Sequence, residues 1–153
     1  MQITIEWYEP IALGSSNNLS DTFQNFDLSL IPEITGVYIF YREYGDYKEA
    51  LYVGQSENIK TRMKSHFNSI RLLEGLKDTA KGQKKLIFAE VKTRGDLSRA
   101  LIQAEKGLIN NLDTRDHPLL NRQLLKDQYD YVTSVGHVLD IVDDEMAVFC
   151  PKK

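Results

Sequence analysis

Apolar positions along the chain fall into short strand-like runs and helix-spaced stripes. Thr35-Gly-Val-Tyr-Ile-Phe-Tyr41 is rich in β-branched and aromatic residues and reads as a strand. Ala50-Leu-Tyr-Val-Gly54 reads as its hairpin partner, across a polar loop containing Gly45. Upstream, a strand is predicted around Ile3 to Tyr8, joined to the body by the polar stretch Gly14 to Asp21. Ser56 or Glu57 opens a predicted helix running to about Glu74, with Ser56 as N-cap and Ile59, Met63, Phe67 and Ile70 as its buried stripe. Lys85 to Val91 predicts a third strand. Asp96 then caps a second helix marked by Leu97, Leu101, Ala104 and Leu108 and ended by Pro118. Beyond Asn121, the apolar segments Tyr131–Val135, Val138–Val142 and Met146–Phe149 fit strands or one more helix equally well. The order strand, strand, helix, strand, helix predicts an α+β fold, a small antiparallel sheet flanked by helices.

At 153 residues the chain has room for one domain with a sizeable core, and two domains would each be marginal. We therefore read residues 1–153 as a single domain. With 42% apolar and 27% charged residues, it is neither a disordered chain nor a fibre. The N-terminus shows no basic opening followed by a long apolar run, so no secretory signal is expected. No stretch approaches the ~20 apolar residues of a membrane helix, so no membrane partner is expected either. The single cysteine, Cys150, allows neither an internal disulfide nor a thiolate metal cage, which fits a reducing cytoplasm.

The net charge of −3 gives no sign of a nucleic-acid binder, but its distribution does. Residues 1–47 carry seven acidic side chains against one basic, whereas residues 48–94 carry eleven basic against five acidic. The centre is thus a candidate anion-binding face, or a set of solvated lysines.

Candidate chemistry lies in and on either side of this region. Arg62 and His66 are four apart and share one helix face, where a guanidinium fork can hold two phosphate oxygens at any working pH. Glu105 stands at the margin of an apolar helix face, where a carboxylate needs water, a partner or a hard cation such as Mg²⁺. Tyr38 and Tyr52 occupy matching places in the two hairpin strands. Taken singly, each of these is as well read as an ordinary surface or core residue. Together they carry more.

The string Gly36-Val37-Tyr38, then Tyr52-Val53-Gly54-Gln55-Ser56, Asn58-Ile59, Arg62 and His66, with Glu105 and Pro118-Leu-Leu-Asn121 later, closely resembles the GIY-YIG endonuclease family. The match runs from about residue 35 to 121, leaving 1–34 as an N-terminal arm and 122–153 as a C-terminal extension. The resemblance implies a three-stranded antiparallel sheet with flanking helices. It also implies one divalent ion, Mg²⁺ or Mn²⁺, bound by Glu105, and phosphodiester hydrolysis, with DNA as the expected substrate and RNA left open. It implies roles as well: Tyr38 as general base or water-orienting group, Tyr52 as a hydrogen-bonding partner of the phosphate or water, Arg62 as stabiliser of charge on phosphorus. His66 would assist proton transfer or orient the water, and Asn121 would brace the site beside Gly36, Gly54 and Asn58. Gln55 departs from the pattern, since some members carry a phosphate-contacting lysine there; with Lys60 and Lys64 it is a candidate substrate contact. Two alternatives stay open: a catalytically silent binding module of the same fold, and the cutting subunit of a larger complex, with a partner protein or a second copy of the chain.

Overall fold

Val37 to Tyr41 are buried in an unbroken run, because both faces of their strand are covered. The computed structural model of the chain describes residues 1–120 and 127–150. Strands β3 (Gly36–Tyr44) and β4 (Tyr47–Ser56) form the expected hairpin, and β5 (Gln83–Thr93) pairs antiparallel with the other edge of β3. This three-stranded unit carries the candidate site residues of the hairpin.

The sheet is wider than three strands. Strand β5 is long enough to pair with β1 (Gln2–Trp7) along its second half and with β2 (Ile11–Gly14) along its first. The chain around Pro10, which lacks a backbone donor, separates these two pieces of one edge. On the far side of β1 lie β6 (Asp127–Gly136), parallel to it, and β7 (Glu145–Cys150), giving the order β4-β3-β5-β1-β6-β7 with β2 beside β5. Of the C-terminal segments left open by their pattern, the first and third are thus strands. Val138–Val142 is instead a turn region that buries Leu139, Ile141 and Val142.

Helix α4 (Leu97–Thr114) packs Leu101, Ala104, Leu108 and Leu112 on one face of the sheet, against Ile3, Ile5, Val37, Ile39, Val53 and Ile87. Helices α1 (Leu19–Asn25), α2 (Ile59–His66) and α3 (Ile70–Lys77) cover the other face, over Tyr38, Phe40, Leu51, Leu86 and Phe88. Asp96 caps α4 as expected, its carboxylate accepting from Arg99 N. Leu97, however, is 43% exposed and no part of the buried stripe.

The helix expected from Ser56 to Glu74 is two helices. Its cap is Asn58, whose side chain accepts from Thr61 N at 3.1 Å, while Ser56 Oγ accepts from Asn58 N just ahead of it. Ser69 interrupts the run and caps α3 by accepting from Leu72 N. The break sets Phe67 against Phe23 and Phe26 and leaves Ile70 76% exposed, so the last step of the apparent stripe was not a core position. Among the described residues, no helix is long and apolar enough to cross a membrane.

Candidate active site

Tyr38 stands near the start of β3, its ring fully buried and lying across the backbone of its cross-strand neighbour, Gly54. A Cβ on Gly54 would overlap the Tyr38 phenol, and one on Gly36 would overlap the backbone carbonyl of Ala89 on β5. Both motif glycines are therefore close-approach positions, set by packing rather than by a turn.

Tyr52 reaches the same face through a β-bulge. The pairing of β3 with β4 slips between Phe40↔Tyr52 and Tyr41↔Ala50, which leaves Leu51 as the extra residue. Leu51 and Tyr52, successive in sequence, consequently both face the α2 side, whereas Ala50 and Val53 face α4. Counted from the turn through Ala50, strict alternation would have sent Tyr52 to the α4 side, and the extra residue Leu51 brings the turn half of β4 into step with the regular pairing of Tyr52 to Phe40. The outer edge of the bulge is held by the chain just after α4: Ala50 N donates to His117 Nδ1 at 2.9 Å, and Leu120 N donates to Leu51 O at 2.6 Å. Sequence reasoning missed His117, because no local pattern around it signals a contact 67 residues away.

His66, on the last turn of α2, sits within an aromatic box of Tyr38, Phe40 and Tyr52, with centroid distances of 5.3, 5.9 and 5.5 Å. Its Nε2 lies 2.6 Å from Tyr38 Oη. Arg62, one turn earlier, points Nε at the same oxygen from 3.4 Å. A guanidinium can only donate, so the phenol oxygen accepts from Arg62 and its own hydrogen is left to donate to His66. That arrangement needs an unprotonated Nε2. Burial, and next the Arg62 charge, push the His66 pKa down to about 4, so the imidazole is neutral at physiological pH. Burial pushes Tyr38 up to about 12, against the lowering effect of Arg62.

Glu105 on α4 is half-buried, and among the described residues it has no hydrogen-bond or ion-pair partner. Burial raises its pKa, and the Arg62 charge opposes that rise. The carboxylate in turn acts electrostatically on Tyr38 and Arg62, so the three belong to one field. A partly desolvated carboxylate without a partner suits a hard divalent ion that completes its shell with water and phosphate oxygens. No group of three or more His, Cys, Asp or Glu gathers among the described residues, so a transition-metal cage does not fit.

A model of the GIY-YIG catalytic domain matches residues 34–117. The chain belongs to the GIY-YIG family. Neither the curated proteins nor the solved structures provide a match to it. Family membership makes the chain a member of a nuclease family. The α+β fold accords with that membership, the sheet being extended by β1, β2, β6 and β7.

The other expected site residues are distributed differently. By strand register Gln55 pairs with Val37 and shares the α4 side with it, away from the Tyr38 hydroxyl. Lys60 feels Asp27, and Lys64 is exposed; no hydrogen bond among the described residues joins either to the cluster. Asn58 supports the site as the cap of α2. Asn121 lies outside the described residues. The basic centre is partly neutralised: Lys48 and Lys85 pair with Glu43, Lys92 pairs with Glu6, and Lys84 is buried, donating to Ala80 O. Lys60, Arg62, Lys64 and Arg71, all on α2 and α3, take part in no ion pair among the described residues, and Arg71 lines a cavity together with Tyr52 and His66.

Proposed function

We propose that the protein is a metal-dependent endonuclease that hydrolyses phosphodiester bonds in DNA. The observation that carries this reading is the short Tyr38–His66 contact with Arg62 aimed at the same oxygen, in a nuclease-family fold with a carboxylate nearby that has no partner among the described residues. Tyr38 takes a proton from the attacking water as the water oxygen bonds to phosphorus. A phenol whose pKa is about 12 holds its own proton at neutral pH, so it must release that proton in the same event. His66 Nε2, at 2.6 Å, is the acceptor. Negative charge building on phosphorus raises the proton affinity of the imidazole at the moment it is needed. Arg62 stabilises that charge, and Tyr52 hydrogen-bonds the phosphate or water. Glu105 holds the divalent ion, which when bound supplies Lewis-acid stabilisation of the leaving oxygen.

The test is cleavage of end-labelled duplex, single-stranded and branched DNA with Mg²⁺ or Mn²⁺, comparing the wild type with Glu105→Ala. Metal-dependent cutting by the wild type alone supports the reading. Binding without cutting by both proteins favours a silent binding module or a missing partner subunit.

A further inference from the structure

The nuclease reading leaves the form of the substrate open, and a cavity beside the cluster bears on it. The space, about 530 Å³, is lined by the rings of Tyr52 and His66, by Leu72, Gly75 and Leu120, and by the polar Ser69 and Arg71. Its volume falls in the range of pockets that take a small organic ring system, about 300–1,000 Å³. The walls are unlike those of a backbone-tracking groove. Aromatic and aliphatic groups share the lining, and Gly75 keeps it open, since a Cβ there would come within 3.1 Å of Leu120 Cδ1. Arg71 is exposed and outside any ion pair among the described residues, so it can meet a phosphate next to a ring held in the cavity. A cavity lined by aromatic and aliphatic side chains with a guanidinium beside them suits a single nucleobase and its phosphate.

Tyr52 and His66 belong at once to this slot and to the proposed catalytic cluster, so a base held here adjoins the scissile phosphate. A base still stacked and paired in continuous duplex cannot enter. Extruding it costs a few kcal/mol, a cost that is least where the nucleotide is already unpaired. We propose that the cavity receives the base of an unpaired nucleotide flanking the scissile phosphate, so that the enzyme cuts flapped or single-stranded DNA in preference to continuous duplex. The proposal rests on the nuclease reading and names the substrate class of that site.

Three measurements test it together. The first compares kcat/KM on a continuous duplex with that on the same sequence carrying a single-stranded flap, with an expected preference for the flap of about tenfold or more. The second replaces the nucleotides around the cut one at a time by abasic residues; one flanking position is expected to lose about tenfold, the worth of one base–aromatic stack. The third repeats both with Gly75→Phe, which fills the slot, and with the milder Gly75→Ala, each first checked for folding by circular dichroism. Gly75→Phe and the abasic substitution should be non-additive, because both remove the same contact. Equal cutting of duplex and flap, with no position sensitive to base loss, overturns the subsite and leaves the nuclease reading standing. If no DNA is cut at all, the nuclease reading falls instead. The subsite is then judged by a 2-aminopurine single strand, whose fluorescence should change on adding wild type and not on adding Gly75→Phe. No change with wild type overturns the subsite as well.

Discussion

Replacing His117 by alanine isolates what holds the bulge. In the native fold Ala50 N–H, on a fully buried residue, donates to His117 Nδ1 at 2.9 Å. Leaving a buried donor unsatisfied costs about 1–3 kcal/mol. The imidazole is only half-buried and water can reach its vacated place, so the lower half of that range applies, roughly 1–2 kcal/mol. For a chain of this size the loss corresponds to a fall in melting temperature of about 2–8 °C. Activity should fall further than stability does. Without its edge partner the bulge can relax towards regular pairing, which turns Tyr52 away from Tyr38 and His66, and a misplacement of about 1 Å in a catalytic group can cost a hundredfold. The assay is the thermal midpoint and the kcat on flap DNA for His117→Ala and His117→Asn, the latter offering an amide oxygen as substitute acceptor. Loss in the alanine variant with partial rescue by asparagine is expected. An alanine variant as stable and as active as the wild type refutes the argument.

Other outcomes follow from the same geometry. Tyr38→Phe should abolish cleavage with DNA affinity nearly unchanged in a binding titration; full residual activity removes the phenol from the mechanism. Gly54→Ala forces a methyl into the Tyr38 ring, an overpacking cost of about 1–3 kcal/mol, and should depress kcat more than a denaturant midpoint measured in parallel. Arg62→Lys keeps the charge and loses the planar fork, so kcat should drop while the fold, read by circular dichroism, is unaffected. Acidification should weaken the fold through His66, whose pKa is about 4 when folded against 6.5 unfolded. The unfolded chain takes up the proton first, so the contribution is complete above pH 6.5 and is lost as the pH falls towards 4, up to roughly 3 kcal/mol. Urea midpoints at pH 7.5 and pH 4.5 measure it, and a His66→Phe variant lacking this part of the pH dependence ties the effect to that ring.

How much of this could be read from the chain depends on the range over which each feature is determined. The hairpin, β5 and α4 are encoded locally by β-branched runs, by the Asp96 cap and by four-residue spacing, and all were legible. The glycine and tyrosine strings carried the family because close approach at Gly36 and Gly54 admits no side chain, which makes those positions intolerant of any other residue. The α2–α3 break was misread because Ile70 falls on the helical period although a serine cap restarts the count just before it. The wide sheet was not legible either, since β1 finds its partners 82 or more residues away in sequence and no local signal names them. The bulge shows why a residue-by-residue reading stops short. A count of alternating positions from the turn through Ala50 and Leu51 sends Tyr52 to the wrong side of the sheet, and only the single unpaired residue corrects it. The acceptor for that bulge comes from His117, beyond the end of α4. A tyrosine that looks like a strand residue in sequence thus reaches the candidate site through a contact closed by the far end of the catalytic domain, and substitutions there should be felt at the phosphate although they touch none of the reacting atoms.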